Sequence, residues 1–339
     1  MLVAYACGDA RIEPVCTGHI NRTYVVYTAH ERFVLQWVNP IFAASIHDNI
    51  ELVTRHLEEQ GMATPRLVRN LAGELASLDA EGGRWRLMTH VRGDVHDVAR
   101  DPDMCASAGA LVGRFHRAVQ ILGDKLVTTR GGVHDPKAHL ARLEQAVASH
   151  EQHRAHARIA KVAQAILTHA RALPSLDELP QRVVHGDLKL SNIIFAPPGH
   201  AHCLIDLDTL GHMPFVVELG DAWRSWCNSL AEDDPASSFN LDLFAGAVRG
   251  YASTARDLLT AQEQELIVAG IETIAVELAA RFCRDALEER YFGWDQQRFE
   301  AAWAHNLQRA SSQLHLAASI AAQRQRAEQV ARAAFAAHT

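Results

Sequence analysis

The sequence predicts an α+β protein in two lobes, a small antiparallel β-sheet lobe over residues 1–91 and a larger, mainly α-helical lobe over residues 92–339. Three observations lead there. At 339 residues the chain is roughly twice the ~150 residues of a typical domain. Short β-rich runs separated by turn residues crowd into the first ninety or so positions. Beyond Arg92-Gly93-Asp94 apolar residues recur at helical spacing, which sets a hinge near His90–Asp94.

Thr23–Thr28 and Arg32–Val38 are β-rich runs joined by a short polar turn, the pattern of a hairpin. In Ser45–Gln60, Ile46, Ile50, Val53 and Leu57 share one helical face, and Gly61 ends the helix. Arg66–Asn70, Glu74–Asp79 and Arg84–Val91 are further strand candidates, the last preceded by the turn Glu81-Gly82-Gly83. Asp101-Pro102 supplies an N-cap and first-turn proline for a helix to about Gln120. Amphipathic helices follow at 137–150 and 154–171, then an apolar, β-rich island at 183–206. Thr260 and Glu263 form a capping box for a long helix towards Leu287, and the tail from about 300 to 337 is helical.

Forty acidic against 33 basic side chains give a net charge of −7, which gives no support for nucleic-acid or anionic-membrane binding, since both need a basic footprint. Six scattered cysteines without a CxxC pair read as buried, reduced thiols. The N-terminus has no basic region before its few apolar residues, and the apolar stretch Leu266–Ala280 is broken by Glu272 and Glu277. With neither signal peptide nor span expected, the chain reads as cytoplasmic. Histidines at 150, 153 and 156, and those at 200 and 202 beside Cys203, lack the four convergent ligands of a zinc site.

Chemistry concentrates in His185-Gly186-Asp187-Leu188-Lys189-Leu190-Ser191-Asn192, between two apolar strand-like runs. An aspartate followed five residues later by an asparagine suits phosphoryl transfer: the Asp orients a substrate hydroxyl, and the Asn amide oxygen holds Mg2+. Ile205-Asp206-Leu207-Asp208 ends the next apolar strand, and Asp206 is the natural carboxylate for that ion.

These motifs resemble those of the aminoglycoside phosphotransferase/choline kinase superfamily, relatives of the protein kinases, and the layout fits over essentially the whole chain. The resemblance implies a two-lobe kinase-like fold that binds ATP and Mg2+ in the interlobe cleft near Met88, His90 and Val91. It makes Asp187 the catalytic base, Asn192 and Asp206 the metal ligands, and His185 a support for the loop. Lys189 is placed to stabilise the transferring group, and Asp221 falls where the family braces its catalytic loop, although a helix-start carboxylate is the alternative. Gly18, Asn21 and Thr23 lie in the loop expected over the nucleotide phosphates. The chain departs from the pattern at Gln36, where protein kinases and most aminoglycoside kinases carry a lysine paired to a helix glutamate, here Glu51. Arg22 and Arg32 are the candidate substitutes for its charge, and a pseudokinase remains an alternative.

Within the superfamily the motifs look most similar to the N-acetylhexosamine 1-kinases. That resemblance rests on Gly18-His19-Ile20-Asn21, Leu35-Gln36, Asp206-Leu207-Asp208-Thr209 and Gly220-Asp221-Ala222, with Arg281 and Tyr291 late in the chain. It implies sugar contacts from His19, Asp208, Arg281 and Tyr291, with Arg224 beside the acceptor pocket. Other acceptors stay open. An aminoglycoside would use acidic groups such as Glu232-Asp233-Asp234 or Asp285 with Glu288-Glu289, and choline an aromatic cage from Trp223, Trp226 and Trp294. Homoserine is a third possibility. The expected partner is a small sugar-like acceptor, with the protein a monomer or homodimer.

Overall fold

Antiparallel pairing of the N-terminal runs builds one six-stranded sheet in the computed structural model, which describes residues 1–15, 20–127 and 134–337. Its strands are β1 (Arg11–Val15), β2 (Arg22–Tyr27), β3 (Arg32–Val38), β4 (Leu67–Val68), β5 (Ser77–Leu78) and β6 (Arg84–Thr89). The order is β1-β2-β3-β6-β4, with β5 also on β6. The β2–β3 hairpin lies where the sequence places it, but β1 is additional. It carries Pro14 and the charged Arg11 and Glu13, and its place at the sheet edge tolerates a residue without an N–H.

Helix α1 (Ile46–Glu59) is inserted between β3 and β4, and its apolar face is shared between the lobes, with Ile46 packed on Val38 of β3. Tyr5, Val26, Leu35 and Leu87 form a separate core within the sheet lobe, whereas Ile50, Val53 and Leu57 pack into the large cluster that joins Leu67 of β4 and Met88 of β6 to Leu111 and Phe115. Asn49 exchanges two 2.9 Å hydrogen bonds with the Val127 backbone, and His56 Nε2 lies 2.9 Å from the Ala118 carbonyl.

The rest is helical around two small hairpins. Asp101 caps α2 (Pro102–Val119) by accepting from the Met104 N–H, as its sequence position predicts. After α3 (Pro136–Ser149) and α4 (His156–Ala170) come β7 (Arg182–Val184), β8 (Ile193–Ala196), β9 (His200–Leu204) and β10 (Gly211–Met213). Then follow α5 (Phe215–Trp226), α6 (Leu241–Ala255), α7 (Ala261–Glu288) with its complete capping box, and α8 (Ala302–Ala336). Helices α2 and α6 touch backbone to backbone: a Cβ on Gly250 would stand 1.9 Å from the Ala106 carbonyl oxygen. The glutamates that interrupt the apolar run of α7 are buried and paired, Glu272 with His169 and Arg324, Glu277 with His134. Among the described residues no helix is long and apolar enough to cross a membrane.

The two lobes connect through the segment after β6. There Asp94 exchanges backbone hydrogen bonds of 2.9 and 2.8 Å with Phe195, so the linker docks on β8 as soon as it leaves the sheet.

Candidate active site

The loop from His185 to Asn192 joins β7 to β8 and is fixed from below before any ligand arrives. His185 is fully buried, which depresses its pKa and keeps the ring neutral. Its Nε2 donates to the Ile205 carbonyl at 2.9 Å while Nδ1 accepts from the Asp187 N–H at 3.3 Å, one tautomer serving both. Gly186 has φ +87°, and a Cβ there would stand 2.4 Å from the Thr209 carbonyl oxygen. The Trp226 indole donates to the Leu188 carbonyl at 2.7 Å.

The expected loop brace needs correcting. Glu218, one turn before Asp221 on α5, accepts the Gly186 N–H at 2.6 Å, and its other oxygen lies 2.5 Å from His116 Nε2. His116 is stacked on Phe215 and bonded to the Tyr251 hydroxyl at 3.0 Å. Asp221 sits within α5 rather than at its start and turns instead to Arg224, at 2.9 Å.

On top of this platform, Asp187 Oδ2 accepts from Lys189 Nζ at 2.8 Å and from Asn192 Nδ2 at 3.0 Å. Asn192 Nδ2 also donates to the Asp187 carbonyl at 2.8 Å, so the amide oxygen is the atom left for a cation. Burial works against the Lys189 ammonium, but the charge of Asp187 outweighs it and raises the lysine's pKa.

Asp206 adopts φ 64°, ψ 57°, a left-handed conformation that costs a non-glycine residue about 1–2 kcal/mol. Burial, then the neighbouring Asp208 and Asp187, push its carboxyl up to about 6. A carboxylate held in a strained backbone and short of positive charge fits a cation site. Among the described residues no group of three or more His, Cys, Asp or Glu side chains could hold a metal on its own. Mg2+ suits such a sparse set, because it takes one or two protein oxygens and completes its shell with phosphate and water.

Asp208 needs a second correction. Instead of facing an open pocket it is buried, with Oδ1 2.5 Å from Arg86 Nη1 and Oδ2 accepting from Arg86 Nη2 at 3.0 Å and Asn21 Nδ2 at 2.6 Å. Arg86 also answers the question raised by Gln36. It lies directly across from Gln36 in the β3–β6 register, and its Nε and Nη2 donate to Gln36 Oε1 at 2.9 and 2.7 Å. Gln36 Nε2 then donates to Thr23 Oγ1 at 3.1 Å. The candidate arginines sit elsewhere, Arg22 over the Trp37 ring and Arg32 over Tyr27. Glu51 pairs with Arg66 and Arg69, each at 3.6 Å, so it is engaged away from Gln36. Asn21 uses its amide on Asp208 and on the Asn39 N–H, a latch between lobes. Gly18 and His19 lie outside the described residues.

A second charged cluster borders Asp187. Arg224 pairs with Asp221 and donates to Gln313 at 3.2 Å, and the carboxylates of Asp221, Glu232 and Asp187 favour its charge against burial. His134 bridges Glu277 at 3.0 Å and Asp221 at 3.8 Å. Burial disfavours its charge, but these carboxylates outweigh burial and raise its pKa. Arg281 approaches Glu277 to 3.9 Å and sits over the Phe292 ring at 5.8 Å. Tyr291 is 59% exposed and meets Phe292 edge-on, so the aromatic face beside Arg281 belongs to Phe292. Trp223 and Trp226 are wholly buried and line no cage. Asp285 is buried beneath the N–H groups of Arg290, Tyr291 and Phe292 and the Asn306 amide, so it is not part of an acidic pocket. Asp233 is held by Arg298 and His305, and Glu288 and Glu289 by Arg284 and Arg154.

Residues 11–256 match the family described as "Phosphotransferase enzyme family". The chain belongs to that family. This phosphotransferase is an enzyme with a small-molecule alcohol as acceptor. Solved structures share its fold at low identity. An aminoglycoside phosphotransferase from Alicyclobacillus acidocaldarius aligns with TM-score 0.63 and 16% identity, covering 97% of this chain and 96% of the other. A microcompartment-associated aminopropanol kinase gives 0.60 and 15%, over 95% and 96%. An amicoumacin kinase solved with AMP-PNP and Ca2+ gives 0.58 and 14%, over 89% and 87%.

In the phosphotransferase the expected adenine region closes the sheet end. Met88 is buried beside β4, with which it pairs through Leu67, and the His90 N–H donates to the Arg32 carbonyl at 3.3 Å. His90 Nδ1 is buried with no hydrogen-bond partner, and Val91 is half-buried. Arg86 and Glu218 are the site residues that sequence reasoning missed. The adjacency of Glu218 to Asp221 was the one available signal.

Proposed function

We propose that this phosphotransferase transfers the γ-phosphoryl group of Mg-ATP to the anomeric hydroxyl of an N-acetylhexosamine or a related neutral sugar. The observation that carries the acceptor class is the cluster beside Asp187. Asp221 and Glu277 are matched by Arg224, Arg281 and His134, and the exposed Glu232 lies 3.9 Å from Arg224, so the cluster pairs its carboxylates with cations and offers hydrogen-bonding forks to a polyhydroxy ligand. The buried state of Trp223 and Trp226 argues in the same direction against a quaternary amine. The N-acetylhexosamine itself rests on the motif resemblance.

In this reading Asp187 takes the proton of the anomeric hydroxyl as that oxygen bonds to the γ-phosphorus. The bond from the γ-phosphorus to the β–γ bridging oxygen breaks, and ADP leaves. Lys189 offsets charge on the transferring oxygens, and Arg281 with Phe292 orients the sugar. Asn192 Oδ1 and Asp206 would hold Mg2+, which neutralises the polyphosphate when bound.

The test is ADP release with Mg-ATP across hexoses, N-acetylhexosamines, 1-O-methyl glycosides, choline, homoserine and aminoglycosides. The expected result is turnover on N-acetylhexosamines, none on the 1-O-methyl glycosides, and loss of about 10^2-fold or more in Asp187→Asn. Turnover on an aminoglycoside, choline or homoserine alone overturns the sugar. Nucleotide binding without turnover on any alcohol returns the pseudokinase.

A further inference from the structure

Arg86 is an anomaly until its surroundings are counted. It is 1% exposed, it comes from the β-sheet lobe, and it reaches across to a carboxylate of the helical lobe. Two carboxylates, Asp187 and Asp208, act on Asp206 here, and two cations, Lys189 and Arg86, act on it in turn, Lys189 bonded to Asp187 at 2.8 Å and Arg86 to Asp208 at 3.0 Å. His47 also borders Asp208, but burial lowers its pKa, so it supplies no positive charge near neutral pH. The described set therefore carries one net negative charge with Arg86 in place and two without it. A polyphosphate brings several more, and at this depth repulsion is poorly screened.

We propose that Arg86 is the charge-balancing residue of the nucleotide site, admitting an anionic polyphosphate beside Asp187, Asp206 and Asp208 where Gln36 cannot. The inference rests on the ATP reading given above. Arg86 acts through its partners: its fork fixes Asp208 and Gln36, and Gln36 fixes Thr23, so the charge is held between the covering hairpin and the aspartate turn. It is a positioning residue, and the work it does is electrostatic.

Charge balance and simple structural support predict opposite signs for one pair of variants. The probe is ADP in the presence of EDTA, measured by titration calorimetry with circular dichroism as a check on folding. Arg86→Gln makes the set more negative and is expected to weaken metal-free ADP by about tenfold or more. Asp208→Asn leaves Arg86 uncompensated and is expected to tighten it by a similar factor. The double variant Arg86→Gln/Asp208→Asn restores the net charge of the wild type and is expected within about threefold of it. A structural tie alone would weaken ADP in all three. Where Arg86→Gln does not fold, the Asp208→Asn result decides alone: unchanged or weaker binding overturns the inference. A wild-type chain that binds no ADP would overturn the ATP reading and the inference with it, whereas wild-type binding that survives Arg86→Gln unchanged overturns the inference only.

Discussion

Replacing Glu218 tests whether the catalytic loop is held from α5. The residue is 2% exposed, with one oxygen on the Gly186 N–H at 2.6 Å and the other 2.5 Å from His116. Glu218→Ala strands two buried groups, each costing about 1–3 kcal/mol when left unpaired, so a loss of about 2–6 kcal/mol is expected. Glu218→Gln behaves differently. Its carbonyl still accepts from Gly186, and its NH2 can donate to His116 Nε2 if the ring moves its proton to Nδ1, towards the Tyr251 hydroxyl. The expected cost is then about 1 kcal/mol, the surplus of a charged over a neutral hydrogen bond. Thermal unfolding and ADP release at saturating substrates measure the two effects together. At a temperature where both variants are folded, Glu218→Ala should lose more than about tenfold in kcat and Glu218→Gln only a few-fold, because Gly186 adjoins Asp187. Full kcat in folded Glu218→Ala would refute the brace.

Three further outcomes follow from the same geometry. Gly186→Ala combines φ +87° with a Cβ 2.4 Å from the Thr209 carbonyl oxygen, so a loss of about 2–4 kcal/mol in denaturant unfolding is expected. Gly250→Ala should cost about 1–3 kcal/mol or more by forcing α6 off α2, read as a lower melting temperature with little change in the KM for ATP. Asp206 sets a pH dependence. Because folding raises its pKa from the ordinary 3.8 to about 6, its stabilising contribution is complete below 3.8 and is lost as pH rises through about 6. The metal-free protein should therefore melt lower at pH 7 than at pH 5, relative to Asp206→Asn. Below pH 6 the Mg2+ needed for half-saturation with nucleotide should rise about tenfold per unit, since a proton competes for the ligand.

What the sequence reveals divides by range. The loop from His185 to Asn192 is legible because its chemistry is local: spacing alone puts Asp187, Lys189 and Asn192 on one turn. Arg86 is not, since its role depends on the register that sets it across from Gln36, fifty residues away, and on an aspartate from the other lobe. Glu218 and Asp221 share a face of α5, three positions apart, so helix phase scarcely separates them and only the packed structure says which meets Gly186. Strand β1 hides because its five residues are few and include Pro14, which an edge position permits. Glu272 and Glu277 read as interruptions in an apolar helix, while their partners, His169, Arg324 and His134, lie too far along the chain to be inferred.

The allegiance of α1 has a mechanical consequence. Chain order assigns it to the first lobe, yet it grips both: Ile46 packs with Val38 of β3 and Glu51 and Glu58 pair with Arg66, while Asn49 and His56 bond to the helical lobe. Any rocking of the sheet must therefore strain α1 at one of its two sets of anchors. The sheet's polar hold on the far side, through Arg86 and Asn21, converges on the single carboxylate of Asp208. Two donors, Arg86 on β6 and Asn21 just before β2, meeting at one acceptor resist separation while allowing rotation, so Asp208 is built to serve as the pin of that hinge.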